Sequence, residues 1–339
     1  MDIKYDSLEK ELNNSNLKSI YLLYGNEKYL IDGIIKKIKN AFGELVQGIN
    51  YVIIDETNVN DLIFNIEVPA FGYDKKLILV KNSGLFKKDG RKKEPTSLQK
   101  EVNSYIEQNI SLIQEMVILV FVEEEIDKNA VYEVISKSGI VCEIAELKPM
   151  QLIAKLKQIC ALYKVNCQES TLNYLLETSG TNLQVLMNEI RKLIEYAGSG
   201  GEITCDAINQ LAIKQMESII FDLTDNLGNK KIDKAIEVLE NLIYQKEPLQ
   251  KILVTLYNHF KKLYLCAVAL RLNKEITTAL NLKPNQTFLV NKYKKQASYF
   301  KENDLKKILS ELVEIDYKSK NGLIDMDIAL KSILCSYCS

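Results

Sequence analysis

The sequence predicts an α/β domain with a parallel sheet, followed by all-helical domains. Three observations carry this. Short apolar runs alternate with helical patterns across residues 1–145; these strand-like signals stop after Pro149; and from there apolar residues recur at helical spacing to the end. The expected domains are therefore 1–146, 147–214 and 215–339, and 339 residues are enough for two or three.

The first expected strand and helix lie in Ile20 to Lys39, IYLLYGNEKYLIDGIIKKIK. An apolar strand, a Gly turn and an amphipathic helix also open many nucleotide-binding domains, because amide N–H groups at a helix N-terminus point at phosphate. This turn, Tyr24-Gly25-Asn26-Glu27-Lys28-Tyr29, has neither a second glycine nor a Lys-Ser/Thr pair, and Glu27 puts negative charge where phosphate would sit. Its helix shows one apolar face of Ile31, Ile34, Ile35, Ile38 and Phe42.

Strands are expected over Ser19–Tyr24, Asn50–Ile54, Lys76–Lys81, Met116–Val122 and Gly139–Ile144. All are rich in Ile, Val, Leu or Tyr with little polar alternation, as in strands covered on both faces. Helices are expected between them over Asn58–Ile66, Thr96–Gln108 and Lys128–Lys137, giving a doubly wound sheet. Beyond Pro149 come helices over Gln151–Tyr163, Glu169–Thr178 and Asn182–Ala197, the last capped by Thr181 with Gln184, then a short helix from Thr204. Longer helices follow over Met216–Leu227, Ile232–Gln245, Pro248–Leu272, Gln286–Phe300, Asn303–Gly322 and Met326–Tyr337.

Composition narrows the function. With 44 Lys+Arg against 45 Asp+Glu and a net charge of -1, no global basic field recruits nucleic acid, so DNA contact requires a local patch. The charged opening MDIKYDSLEK leads into no signal-peptide core, and no apolar run reaches the roughly 20 residues that span a bilayer. Seven scattered cysteines suit a reducing cytoplasm; the one CxxC, Cys335 and Cys338, stands without a second pair, and the chain has a single His, so no metal or redox role is expected.

Several stretches admit two interpretations. Tyr51–Glu56 looks like a Walker B strand, with Asp55 and Glu56 as magnesium-holding acids, but without a phosphate loop it is better taken as a core strand entering an acidic loop. Glu123-Glu124-Glu125 is taken as a solvated acidic loop. The basic run Lys87, Lys88, Arg91, Lys92 and Lys93 suits either DNA phosphates or solvent, with solvent the commoner case. Lys292-Tyr293-Lys294-Lys295 with Tyr299-Phe300 fits burial in a helical bundle better than base stacking, and His259 fits a packed position. The loop Ile66–Tyr73 differs: it sets Val68, Pro69, Phe71 and Tyr73 where polar residues are expected, as an inward plug or as an anchor for a partner's pocket.

Five segments, YLLYGNEKYLID, VPAFGYDKKLILV, SGTNLQVLMNEIRKLIEY, IIFDLTDNL and LVEIDYKSKNGLIDMDIALKSIL, carry a resemblance through their order along the whole chain. In them the chain resembles the delta subunit family of bacterial DNA polymerase III, the clamp-opening arm of the clamp loader. The resemblance implies an AAA+-like fold: an α/β domain at 1–146 that binds the clamp and lacks a phosphate loop, a helical lid at 147–214, and a helical collar at 215–339. It implies no catalytic site, cofactor or metal. The implied partners are the beta sliding clamp, the delta-prime and gamma/tau subunits of a pentameric ring, and primed-template DNA, in the cytoplasm at the replicating nucleoid, with no membrane. By alignment the clamp wedge falls on Val68, Pro69, Ala70 and Phe71. Ala70 stands where a larger aliphatic residue is common, so either the contact is smaller or Val68 and Tyr73 compensate. Two rival expectations remain: a divergent AAA+ nucleotide hydrolase using Lys28, Asp55 and Glu56, and a DNA-binding scaffold acting through Lys87–Lys93 and the collar lysines.

Overall fold

The structure is a computed structural model that describes residues 2–14, 17–87, 95–229 and 231–336. It divides into two compact units, Met1–Glu146 and Leu147–Ser339. The mixed architecture expected from the sequence, a parallel α/β layer followed by helices, is the one observed.

The first unit runs α1 (Tyr5–Asn13), β1 (Ile20–Tyr24), α2 (Lys28–Phe42), β2 (Tyr51–Ile54), α3 (Leu62–Glu67), β3 (Lys76–Lys81), α4 (Ser97–Gln108), α5 (Ile110–Met116), β4 (Val117–Glu123), α6 (Ala130–Ser138) and β5 (Ile140–Glu143). The five strands pair in parallel in the order β2-β3-β4-β1-β5. The step from β1 to β2 runs outward over two strands, and every later step runs back. Right-handed crossovers therefore put α2 on one face and α3 to α6 on the other. Burial follows this rule. Ile20, Leu22, Ile78, Val80, Leu119 and Phe121, alternate residues of their strands, share one core with Leu62, Ile66, Val102, Ile106, Ile113 and Ile135 of α3 to α6. On α2, Ile31, Ile34, Ile35 and Ile38 are buried at helical spacing, and α1 packs against α2 and β5.

Two helices of this unit are not expected from the sequence. α1 and α5 are short, and α5 runs directly into β4, taking Met116, which is expected as the start of that strand.

The second unit begins with α7 (Pro149–Leu162), β6 (Asn166–Cys167), α8 (Glu169–Ser179), α9 (Leu183–Ala197), β7 (Glu202–Ile203) and α10 (Cys205–Leu211). The expectation that strands end at Pro149 is corrected here, because β6 and β7 pair in parallel. Two residues per strand carry no periodicity, so the pattern could not reveal them. The cap of α9 is also corrected: Asn182, not Thr181, accepts from the Val185 amide at 3.0 Å.

Helices α11 (Met216–Gly228), α12 (Ile232–Tyr244), α13 (Leu249–Arg271), α14 (Ile276–Ala279), α15 (Leu289–Ala297), α16 (Glu302–Lys320) and α17 (Met326–Ser336) follow. A single buried apolar cluster runs through them from Met216 to Leu334. The expected helix from Gln286 starts instead with a 3-10 turn at Pro284–Gln286, as the fixed φ of proline favours.

His259 sits in this core as a packed residue. Its ring meets Phe221 edge to face at 4.6 Å, and Nε2 lies 2.9 Å from the Gln296 side-chain oxygen. Gln296 donates its own N–H groups to the Phe221 carbonyl at 2.9 Å and Asp225 Oδ1 at 2.8 Å, which leaves its oxygen facing the imidazole. His259 Nε2 must then carry the proton and donate. Tyr293 is buried against the same rings, as the bundle interpretation of its segment requires. Burial pushes the His259 pKa down to about 3, Lys262 and Lys292 add to the effect, and the Gln296 bond opposes it. Because the folded value lies below the unfolded one, stability conferred by the neutral ring is full above about pH 6.5 and declines as pH falls, by at most about 1.4 kcal/mol per pH unit. Replacing His259→Gln should reduce the acid-side slope of unfolding free energy between pH 6 and pH 4 by roughly one proton's worth, measured in urea titrations. An unchanged slope would show that His259 is not the group responsible.

Candidate functional site

The turn after β1 has the position of a phosphate loop, but three of its amides are already used. The Gly25 amide donates to the Glu123 carbonyl at 3.1 Å, Glu27 to the Ile144 carbonyl at 3.2 Å, and Lys28 to the Asn26 carbonyl at 3.1 Å. Gly25 has φ +131°, and a Cβ there would lie 2.3 Å from the Ile144 carbonyl oxygen, so the close approach requires glycine. Lys28 reaches Glu124 at 2.9 Å in a solvent-exposed pair.

The acids expected near this turn do not join it. Asp55 and Glu56 follow β2, the edge strand, with β3 and β4 between it and β1. Three strand spacings put them roughly 14 Å away along the sheet. Asp55 closes its own turn, accepting from the Thr57 amide at 2.8 Å and hydroxyl at 2.6 Å, which holds its carboxyl below the usual range. The supposed trio Lys28, Asp55 and Glu56 is therefore not assembled.

The acidic loop is also corrected. Glu123 is the buried last residue of β4 and accepts from the Ser83 amide at 2.9 Å and hydroxyl at 2.6 Å. Burial raises its pKa while the Ser83 bonds lower it. Of the basic run, Lys87 is exposed and its carbonyl accepts from Gln99 at 2.7 Å, whereas Lys88, Arg91, Lys92 and Lys93 lie outside the described residues. Among the described residues no cluster of His, Cys, Asp or Glu could hold a metal ion, and no helix is long and apolar enough to cross a membrane. Cys335 is exposed and Cys338 lies outside the described residues.

The apolar loop between α3 and β3 turns outward. Phe71 is 92% exposed and Val68 40%, and Pro69 is exposed beside them, while Ala70 and Tyr73 are half-buried. The Tyr73 amide donates to the Ala70 carbonyl at 3.2 Å, and Gly72 has φ +82°, the positive value that a type II turn needs at its third position. Phe71 is thereby left at the apex. Of the two readings of this loop, the inward plug is excluded for Phe71.

The structure adds two residues. Phe64 of α3 is 65% exposed, and its carbonyl accepts from the Val68 amide at 3.0 Å, so the two side chains lie one helical turn apart on the same side. Lys76 is buried at the start of β3, its ammonium donating to the Asn65 carbonyl at 3.1 Å and to the Val68 carbonyl; burial pushes its pKa down. The apolar content of Phe64 was visible in the sequence, but its outward direction was not.

A loop of this kind names no family by itself. The family described as DNA polymerase III, delta subunit matches residues 21–144, and the one described as DNA polymerase III delta subunit, C-terminal domain matches 217–337. A probable DNA polymerase III subunit delta of Aquifex aeolicus (strain VF5) is 30% identical over 330 residues, covering 94% of this chain and 90% of that protein. The chain belongs to the DNA polymerase III delta subunit family.

The delta subunit of Bacillus subtilis (strain 168) is 23% identical over 331 residues, covering 96% of this chain and 94% of its own. Among solved structures, the one titled as the Bacillus subtilis DNA clamp loader delta protein shares the fold, with a TM-score of 0.74 and 21% identity over 98% of this chain and 99% of that one. Both the turn at Gly25 and the apolar loop fall inside the first delta match.

Gly25→Ala should destabilise the first unit by about 2 kcal/mol or more, because positive φ and contact with the Ile144 carbonyl act together. Urea unfolding measures it, and a loss below about 0.5 kcal/mol would mean that the turn can relax away from β5.

Proposed function

We propose that this delta-family chain is the clamp-opening subunit of a clamp loader, binding the ring-shaped beta sliding clamp through Val68, Pro69, Ala70, Phe71 and Tyr73. The observation that carries this proposal is Phe71, a large aromatic held out at the apex of a closed turn. Aromatic anchors that fill a partner's pocket dominate interfaces. Phe64 enlarges the same surface and offsets the small side chain at Ala70.

Opening is differential binding: a wedge that prefers the open ring shifts the ring's equilibrium by the difference in its affinity for the two states. Moving an equilibrium from 1:99 to 99:1 takes about 5.5 kcal/mol, more than the roughly 2 kcal/mol typical of one aromatic anchor. A shift of that size would require the neighbouring apolar residues as well as Phe71. The chain does not hydrolyse ATP, a property supported by the committed amides of Gly25 and Glu27. Energy for resetting the assembly comes from gamma/tau motor subunits in a ring that also holds delta-prime and receives primed-template DNA. Within the second unit, 147–214 acts as a lid and 215–339 as the collar that joins the ring, a division supported by the buried cluster that starts at Met216. The site of action is the cytoplasm, at the replicating nucleoid.

Phe71→Ala should weaken binding to the cognate sliding clamp by about 2 kcal/mol, roughly 30-fold, with an unchanged urea midpoint. Normal clamp binding and loading by this variant would sink the site assignment. In equilibrium dialysis the full chain should retain no labelled ATP at micromolar concentration, and retention would favour a nucleotide-binding role instead. Tight, salt-dependent binding of the isolated chain to DNA without clamp would favour a DNA scaffold.

A further inference from the structure

We infer that Lys76 is the positioning residue of the apolar loop: its ammonium holds the Asn65 and Val68 carbonyls at the end of α3 and so fixes the direction in which the turn presents Phe71. The consequence for clamp binding rests on the function proposed above.

The need for such a cation follows from the sequence. In a helix the carbonyl of Asn65 would accept from the amide four residues on, but that residue is Pro69, which has none. Pro69 also drives Val68 out of the helical region, and Val68 sits at φ -73°, ψ 116°. Helix α3 thus ends abruptly, with carbonyls that its own backbone cannot satisfy.

Lys76 answers this from the neighbouring strand. It shares a face of β3 with Ile78 and Val80, the face on which α3 packs, and is only 4% exposed. Its positive charge also complements the negative end of the helix. Among the described residues no carboxylate forms an ion pair with it. The charge therefore serves the backbone at the end of α3 and the start of the wedge. Its neighbour Lys75 points the other way and donates to the Gln114 carbonyl at 3.0 Å, so the two lysines have different tasks.

A loop held in its binding shape pays no conformational toll on association. If removal of the cation left that shape populated about one time in ten, apparent affinity would fall about tenfold. The loss would appear in the association rate, because the bound loop is held by the partner. Loss of the Phe71 ring acts differently, by raising the dissociation rate.

The test uses the full chain with Lys76→Met, Lys76→Arg and Phe71→Ala. In the free protein, hydrogen exchange at the Val68 and Tyr73 amides should quicken at least tenfold in Lys76→Met, with β4 amides protected as in the parent. Against the cognate clamp, Lys76→Met should associate about tenfold more slowly and dissociate within about twofold of the parent rate. Lys76→Arg, which keeps the charge and the donors, should restore both readouts to within about threefold. Parental exchange at Val68 and Tyr73 in Lys76→Met would overturn the inference. So would a defect shared by Lys76→Arg and accompanied by lost protection in β4, since that marks general destabilisation. If Phe71→Ala binds clamp like the parent, the clamp proposal fails, and exchange in the free chain still decides the role of Lys76.

Discussion

The backbone hydrogen bonds that leave the end of β1 for both of its neighbours constrain everything else in the first unit. Gly25 donates to the last residue of β4, Glu27 to the residue after β5, and Ile144 returns a bond to the Tyr24 carbonyl at 2.7 Å. These bonds tie the central strand to both sides of the sheet at its C-terminal end, where open α/β sheets usually hold ligands. The start of α2 is fixed by the same contacts. A glycine that elsewhere lets backbone approach a phosphate here lets it approach another strand, so the architecture persists while its donors face inward.

What the sequence made legible depended on range. The strands around Tyr21, Leu79 and Val120 announce themselves because burial on both faces leaves continuous apolar runs, and the Ile ladder of α2 reports its own buried side. Strand order is a long-range property, so nothing near Asp55 could show that two strands separate it from Gly25. Glu123 looks like one acid among three until its partner Ser83, 40 residues away, comes into view. β6 and β7 are too short to carry a period. In the apolar loop the composition was conspicuous and the direction was not: whether Phe71 points in or out is decided by the Gly72 turn and by how α3 ends.

Two glycine turns of the first unit, at Gly25 and Gly72, make a useful contrast. At Gly25 an added Cβ meets the Ile144 carbonyl, whereas at Gly72 it would meet nothing within 4 Å. The first turn is constrained by its surroundings and serves the fold. At the second nothing packs against the glycine itself, which leaves the side chains of the turn free to meet another molecule. The recognition site proposed for this unit is thus a projecting loop rather than a cleft, and a projection suits entry into a partner's pocket.

Each rim of the sheet carries one isolated bridge to the chain itself. Beside β5, Asp2 bridges to Val141 and the Ile3 amide donates to the Val141 carbonyl at 2.9 Å; beside β2, Gln47 bridges to Tyr51 and Gly48 donates to the Tyr51 carbonyl at 2.9 Å. Unpaired rims invite strands from other molecules, a route to aggregation and to indiscriminate pairing. At Val141 and Tyr51 these short segments take up edge backbone that a foreign strand could otherwise pair with. For a member of a subunit family this favours contacts chosen by side chains, which carry sequence information that backbone pairing lacks.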